Sequence, residues 1–538
     1  MFCDTPQVNQ LTSLLIKHEV RHIVVCPGSR NATIVHNLHA AGEKQFCLHP
    51  VTDERSAAFV ALGMSLATQT CVAVCVTSGS ALLGCIPAVA EAFYRNIPLL
   101  VISADRPQYI IGQLDGQTLP QAGALRPYCD TYQVNPPHTE EDNWLNNLRI
   151  NEALIFATGY SRPAHINVAI EEPMFSFTTA QLPDERKIEA VAPVHTPTSL
   201  PPHIVTLIKQ AHLPAIVIGQ YEQGDLRKEI DDIVENGQML VLCEIISDVC
   251  GNHLLEAFDE EKGAQYMPDL IIQIGGNFVH KKFKKLLRQS SCQVIRLGND
   301  DHLTDTFFHL THQVSIRPQL ALQQLSQVLP KHNAQVIATH KHLSHVWTQM
   351  DANLKAENEG KLTPHTAIRL LHDQLSKHPD IPFTLHLANS STVRVAGKVF
   401  DSGTFPIYCN RGTNGIEGSL STAVGYAMQM WGLSIVIIGD LSFFYDANAL
   451  WNTHLPSNLR ILLLNNGRGS IFDHLPGLAE SPACTDYIAA GHQHYTAQGI
   501  AQTYGLSYAL ATTLDQLAAA LPHFLAEEDG AMILEVKL

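Results

Sequence analysis

Short apolar runs, each about the length of one buried strand, recur along the chain, and a helical or turn segment follows each of them. In the first third they are His22 to Cys26, Cys47 to Val51, Cys71 to Thr77 and Pro98 to Ser103. Each stops at a polar word: Pro27-Gly28-Ser29-Arg30, Asp53-Glu54-Arg55, Thr77-Ser78-Gly79-Ser80, and Ala104-Asp105-Arg106-Pro107. This alternation predicts an α/β architecture with a mainly parallel sheet. A row of polar strand ends is where such a sheet holds its ligand.

The pattern repeats twice more. The proline-rich stretch from Thr178 to His203 reads as an exposed linker. Beyond it, Ala215 to Gly219, Met239 to Leu242, Leu270 to Gly275 and Gln293 to Leu297 predict a second, smaller α/β unit. Ile274-Gly275-Gly276-Asn277 is better read as a strand-end turn than as a nucleotide-binding fingerprint. A polar, helical stretch from about Pro330 to Pro364 leads to Phe383 to Leu387, Ile407 to Cys409, Ile435 to Ile438 and Ile461 to Leu464. Met532 to Val536 supplies a last strand. The expectation is α/β throughout, in three domains with mainly parallel sheets: residues 1–180, 181–355 and 356–538.

Composition narrows the class. Of 538 residues 45% are hydrophobic and 16% charged, as in a well-packed globular protein. The net charge of −16 argues against nucleic acid or an anionic membrane as the main partner. The twelve cysteines include no CxxC pair, so neither a zinc site nor a disulfide framework is expected. MFCDTPQVNQ lacks the marks of a secretory signal, and the expected compartment is the cytoplasm. The 28 histidines are dispersed, with no metal-binding grouping.

The chemistry concentrates between Ile435 and Phe472. Two apolar runs joined by a helical pattern make a βαβ unit. The first stops at Gly439-Asp440, the second at Asn465-Asn466-Gly467. Parallel pairing would set Asp440 and Asn466 side by side, and their hard oxygen donors suit Mg²⁺ with positions left for phosphate oxygens. The N–H groups after Asp440 would face the same anion. Each residue also has an ordinary explanation, a helix cap for Asp440 and a turn for Asn466-Gly467.

Gly-Asp followed 26 positions later by the second residue of Asn-Asn resembles the signature of thiamine-diphosphate enzymes that act on 2-oxo acids. Here Leu441 stands where Gly is usual. That Gly439-Asp440-Leu441 variant is similar to the menaquinone-biosynthesis branch of the family, as are Cys26-Pro-Gly-Ser-Arg30, Asp53-Glu-Arg-Ser-Ala-Ala-Phe59, Gly116-Gln-Thr118, Asn389-Ser390 with Arg394, Asn410-Arg-Gly412 and Gly415-Ile416. The resemblance implies an aminopyrimidine-binding first domain, a central α/β domain and a diphosphate-binding third domain. It also implies a homodimer or homotetramer with the site at the subunit interface.

The activity so implied is decarboxylation of 2-oxoglutarate on thiamine diphosphate with Mg²⁺ (or Mn²⁺), and addition of the succinyl-semialdehyde carbanion to isochorismate. Glu54 matches the activating glutamate. Asp440, Asn466 and the main-chain carbonyl of Arg468 match the metal ligands. Gly439, Leu441, Ser390 and Ile416 match cofactor contacts, Ile416 being the residue that holds the cofactor bent. Arg30, Arg106, Lys281, Arg394 and Arg411 match anion-binding positions, with Ser29, Gln117 and Ser390 beside them. Arg30, Gln117, Arg394 and Arg411 also count with Glu54 as catalytic in that resemblance. The segment from Asp473 to Gln498 matches no word and is placed to cover the metal loop. Another thiamine-diphosphate decarboxylase or carboligase, or a non-catalytic cofactor-binding relative, remain alternatives.

Overall fold

The structure is a computed structural model. It describes every residue except 173, 191–196, 223, 250–252, 261–263, 299–301, 402, 404, 476, 493–494 and 527–529. The described strands form three sheets, two of six strands and one of five, and their recorded pairings are parallel. Every apolar run named above is a strand.

The chain divides into two compact units, the first made of residues 1–192, 410–509 and 524–535. Its N-terminal sheet has strands β1 (His22–Val25), β2 (Cys47–Pro50), β3 (Val72–Val76), β4 (Leu99–Asp105), β5 (Thr131–Val134) and β6 (Ala164–Ala169), in the order β2-β1-β3-β4-β6-β5. Strands β3, β4 and β6 are buried along their whole length, as expected of a parallel sheet covered on both faces. The second unit, residues 193–409, 510–523 and 536–538, holds β7 (Pro214–Ile218), β8 (Leu240–Cys243), β9 (Leu270–Ile274), β10 (Gln293–Leu297) and β11 (Leu310–Val314), in the order β11-β10-β9-β7-β8. In this unit β12 (Phe383–Leu387) also pairs with β13 (Ile407–Cys409). In the first unit β14 (Leu433–Gly439) pairs with β15 (Leu459–Asn465), Gly439 opposite Leu464.

Two readings need amendment, the proline-rich linker and the cysteines. The proline-rich stretch is not loose along its first half. Ser13 donates to the carbonyl of Pro183, Asn147 to Glu185, and the Ile188 N–H to Asn151, which fasten residues 183–188 onto the helices Pro6–Lys17 and Glu140–Tyr160. Residues 191–196 of that stretch lie outside the described residues. Cys243 is disulfide-bonded, while the other described cysteines are free. The turn at Gly275-Gly276 is filled by backbone: the Gly276 N–H donates to the Gln220 carbonyl at 2.7 Å, and a Cβ on Gly219 would stand 2.4 Å from the Gly276 carbonyl oxygen.

Strand β6 carries His165 and Asn167, both fully buried. His165 sits between the hydroxyls of Ser103 and Thr131 at 2.7 and 3.0 Å. Burial pushes its imidazole down to about 3 from an ordinary 6.5. The folded state therefore keeps it neutral, and the stability it supports is present above pH 6.5 and lost as the pH falls toward 3. Between pH 7 and 4.5 the expected loss from this group is about 2.5 kcal/mol. Urea unfolding at the two pH values measures it, and His165→Gln should flatten the dependence.

Candidate active site

The unit formed by residues 1–192, 410–509 and 524–535 contains most of the residues singled out from the sequence. Two helices join its parts. Glu54–Thr68 packs on Ser419–Ala427 so closely that a Cβ on Gly63 would lie 1.9 Å from the Thr422 carbonyl oxygen, and one on Gly425 2.0 Å from that of Val60. Only glycine permits this approach of backbone to backbone. Asp53 caps the first helix, accepting from the N–H groups of Arg55 and Ser56 at 2.9 and 3.3 Å. Its other oxygen accepts from Asn448 at 2.9 Å, and Arg55 donates to the Tyr445 carbonyl at 2.8 Å. Glu54, half-buried at the first helical position, is thus held close to the segment that follows Asp440.

Asp440 and Asn466 end adjacent parallel strands, and the structure brings their loops together. Asp440 is 3% exposed; Oδ2 accepts from the Gly467 N–H at 2.7 Å and Oδ1 from the Leu441 N–H at 2.8 Å. The Leu441 N–H is therefore engaged by Asp440 itself, and the helix that begins there has only six residues, Asp440–Tyr445. The expectation of N–H groups open to an anion at this point needs that correction. The two asparagines divide their work because successive strand residues face opposite ways. Asn465 points inward to Glu535 at 2.6 Å, while Asn466 stays in the loop, with Oδ1 accepting from the Arg468 N–H at 3.2 Å. A carboxylate, an amide oxygen and the loop carbonyls nearby form a donor set of hard oxygens that fits a small divalent cation.

Ile416 joins this group through its carbonyl, which accepts from Ser442, and its side chain is exposed. A Cβ at Gly415 would stand 2.2 Å from the Glu417 carboxylate. Gly439 offers open space at the strand end.

The anion-binding candidates of this unit follow other strands. Gly28 is required in Pro27-Gly28-Ser29-Arg30, since a Cβ there would meet Thr77 at 2.3 Å. Arg30 is buried and donates to the Ile170 carbonyl at 3.1 Å and to Glu172 at 3.2 Å; Ser29 is exposed. Arg106 lies 3.7 Å from the same Glu172 oxygen and donates to the Gly116 carbonyl at 3.3 Å. Gln117, at φ +56°, lies against Gly79. Arg411 is buried in a loop that Glu91 fastens. In the other unit, Ser390 takes φ +73° before the helix Ser391–Ala396, and Arg394 donates to its carbonyl. Lys281 is exposed at the start of the helix Lys281–Gln289, next to His280, which is half-buried between Glu244 and Glu256 at 2.9 Å from each.

Four residues at this site carry no sequence signal. Glu91, fully buried, accepts from the N–H groups of Gly412 and Thr413 at 2.9 and 2.7 Å and lies 3.4 Å from Arg95, which itself donates to Asn410. Gln121 accepts from the Gly79 N–H at 2.7 Å and donates to Asn167 and the Ala104 carbonyl, tying two strand-end loops together. His492 puts Nε2 3.2 Å from Asp440 Oδ2, and its N–H donates to the Gly467 carbonyl at 2.6 Å. The segment that follows is thus hydrogen-bonded to the Asn466-Gly467 loop, also through the Gly469 N–H to the Ala489 carbonyl at 2.7 Å. Glu172 is the fourth.

Glu91→Gln would leave Arg95 without its carboxylate and set an amide against N–H donors. We expect unfolding free energy to fall by about 3 kcal/mol, read from urea denaturation.

Residues 8–130 match the family model described as the thiamine pyrophosphate enzyme, N-terminal TPP binding domain. The chain is also similar along its length to named enzymes. It is 39% identical to the 2-succinyl-5-enolpyruvyl-6-hydroxy-3-cyclohexene-1-carboxylate synthase of Phocaeicola vulgatus, over 100% of this chain and 96% of that one. The synthase of Bacteroides thetaiotaomicron is 39% identical over 98% of this chain and 94% of its own. The chain belongs to the 2-succinyl-5-enolpyruvyl-6-hydroxy-3-cyclohexene-1-carboxylate synthase family. The synthase of Flavobacterium johnsoniae, 34% identical over 96% of this chain and 93% of its own, extends the same relation. In this member of the synthase family Glu54 and Asp440 open helices and Asn466 follows the end of a strand.

Proposed function

We propose that the chain is a thiamine-diphosphate-dependent transferase that decarboxylates 2-oxoglutarate and joins the remaining four-carbon unit to isochorismate. The product is 2-succinyl-5-enolpyruvyl-6-hydroxy-3-cyclohexene-1-carboxylate, with release of CO₂, in menaquinone biosynthesis. The observation that carries this reading is similarity to the synthases along the whole chain, with Asp440 and Asn466 on adjoining strand ends supporting it.

The three sheets follow one another along the chain, which supports an aminopyrimidine-binding domain at 1–180, a central domain at 181–355 and a diphosphate-binding domain at 356–538. Asp440, Asn466 and the Arg468 carbonyl would hold Mg²⁺ or Mn²⁺, and with it the diphosphate. Gly439, Leu441 and Ser390 would contact the cofactor, and Ile416 would pack against its middle. When bound, thiamine diphosphate supplies the electron sink for loss of CO₂ from a 2-oxo acid and for the carbon–carbon bond made next. Glu54 would hold a proton at N1′ of the aminopyrimidine. Both substrates are dianions, and Arg30, Arg106, Arg394, Arg411 and Lys281 are the cations to receive them, since a guanidinium fork matches a carboxylate. Ser29, Gln117 and Ser390 would orient the same groups by hydrogen bonds.

A homodimer or homotetramer, with the site at the subunit interface, accords with the exposed apolar side chains of Ile416, Tyr445 and Trp451 near the site. Light scattering on the eluting protein checks the assembly. Among the described residues no helix is long and apolar enough to cross a membrane, and the compartment proposed is the cytoplasm.

The deciding experiment is turnover of 2-oxoglutarate with and without isochorismate. Release of CO₂ coupled to formation of the succinyl adduct is expected. Release indifferent to isochorismate would instead make the chain another thiamine-diphosphate decarboxylase.

A further inference from the structure

Two of the proposed substrate cations already hold a carboxylate. Arg30 Nη2 and Arg106 Nη1 lie 3.2 and 3.7 Å from one and the same oxygen, Oε1 of Glu172. The three side chains differ in exposure: 5% for Arg30, 23% for Arg106 and 69% for Glu172. The cations are therefore set into the protein, and the anion reaches them from the solvent side.

The arginines do not depend on Glu172 for their position. Arg30 is buried, and its Nη1 donates to the Ile170 carbonyl at 3.1 Å. Arg106 Nη2 donates to the Gly116 carbonyl at 3.3 Å. Each guanidinium has a second anchor that would remain without Glu172. Arg106 also keeps a buried Nε with no hydrogen-bond partner among the described residues, a donor suited to a ligand oxygen. Glu172 follows closely on β6, and the Ile170 N–H donates to the Asp105 carbonyl at 3.1 Å, so the carboxylate is delivered to the strand end from which Arg106 projects.

We infer that Glu172 is a specificity-determining residue: a tethered carboxylate that occupies the anion pocket of Arg30 and Arg106 and must be displaced by a carboxylate of the substrate. The inference rests on the reading of those arginines as substrate ligands. A carboxylate on a ligand needs the same N–H groups, so the two anions exclude one another. Glu172 thereby sets the affinity that an incoming anion must exceed. Because Glu172 itself is 69% exposed and keeps much of its hydration, it is a weak competitor, and its removal is worth a few-fold.

The test is steady-state kinetics of the holoenzyme with 2-oxoglutarate and isochorismate varied in turn. Glu172→Gln keeps the shape and removes the charge; we expect KM for one of the two acids to fall about three- to fivefold, with little change in kcat. Glu171→Gln, the same charge change on the exposed neighbour, should leave KM where it was. Arg30→Met and Arg106→Met should each raise the KM that Glu172→Gln lowers. If Glu172→Gln raises KM, or leaves it unchanged while either arginine variant raises it, the tethered competitor is refuted and the substrate reading of the arginines stands. If neither arginine variant moves a KM, that reading itself fails. A KM lowered equally by Glu171→Gln would reduce the effect to general charge and overturn the inference.

Discussion

Glu54→Gln is expected to lower kcat by about 10²- to 10⁴-fold, the usual worth of a positioned acid–base group, while the protein remains folded. Two features of the structure make the substitution clean. Glu54 stands at the first position of its helix, but the capping hydrogen bonds belong to Asp53, so the amide removes no cap. Its side chain is half-buried, and glutamine has the same size. What changes is the ability to exchange a proton with a ring nitrogen, because an amide can donate but does not titrate. The loss should therefore fall on kcat, with the urea midpoint and KM for 2-oxoglutarate nearly unmoved. Turnover close to that of the unchanged enzyme would rule out the role given to Glu54.

How far the sequence carried can be judged from particular elements. Strands such as β3, β4, β14 and β15 were legible because every residue in them is buried or nearly so, and they read as unbroken apolar runs. Strand β6 is just as buried, yet His165 and Asn167 break its run; their cost is offset by Ser103, Thr131 and Gln121, residues distant in sequence. Strands β5 and β11 are half-exposed and polar, so they gave little periodic signal. The candidate site shows the same divide. Asp440 and Asn466 were legible because each lies where a strand stops, and parallel pairing of those strands brings their ends together. Glu91 was not, since its contact with Gly412 spans 321 positions and nothing in its own helix distinguishes it from a surface glutamate. His492 was equally silent: it comes to Asp440 only because Gly467, at φ +77°, leaves room for the His492 carbonyl 2.4 Å from where a Cβ would stand.

Asp440→Asn should weaken Mg²⁺ and thiamine diphosphate together, by at least about a hundredfold, since losing a ligand carboxylate should exceed the effect of altering groups that merely orient one. The side chain now accepts from two N–H groups, Gly467 through Oδ2 and Leu441 through Oδ1. Asparagine can satisfy only one of them and turns its own NH₂ toward the other, so the metal loop loses an anchor as well as a charge. That local loss is worth about 1–3 kcal/mol and should appear as a lowered melting temperature even without cofactor. The two consequences separate by titration. Calorimetric binding of thiamine diphosphate at increasing Mg²⁺ should show affinity regained in part as the ion is raised, whereas the melting temperature without cofactor should stay low. Asn466→Ala removes the neutral partner and should weaken the metal by less, because an ionised oxygen contributes more than an amide oxygen to a divalent cation. If Asp440→Asn bound the ion and cofactor as tightly as the unchanged chain, the paired strand ends would not be the metal site, and the assignment of Asn466 and Arg468 would fall with it.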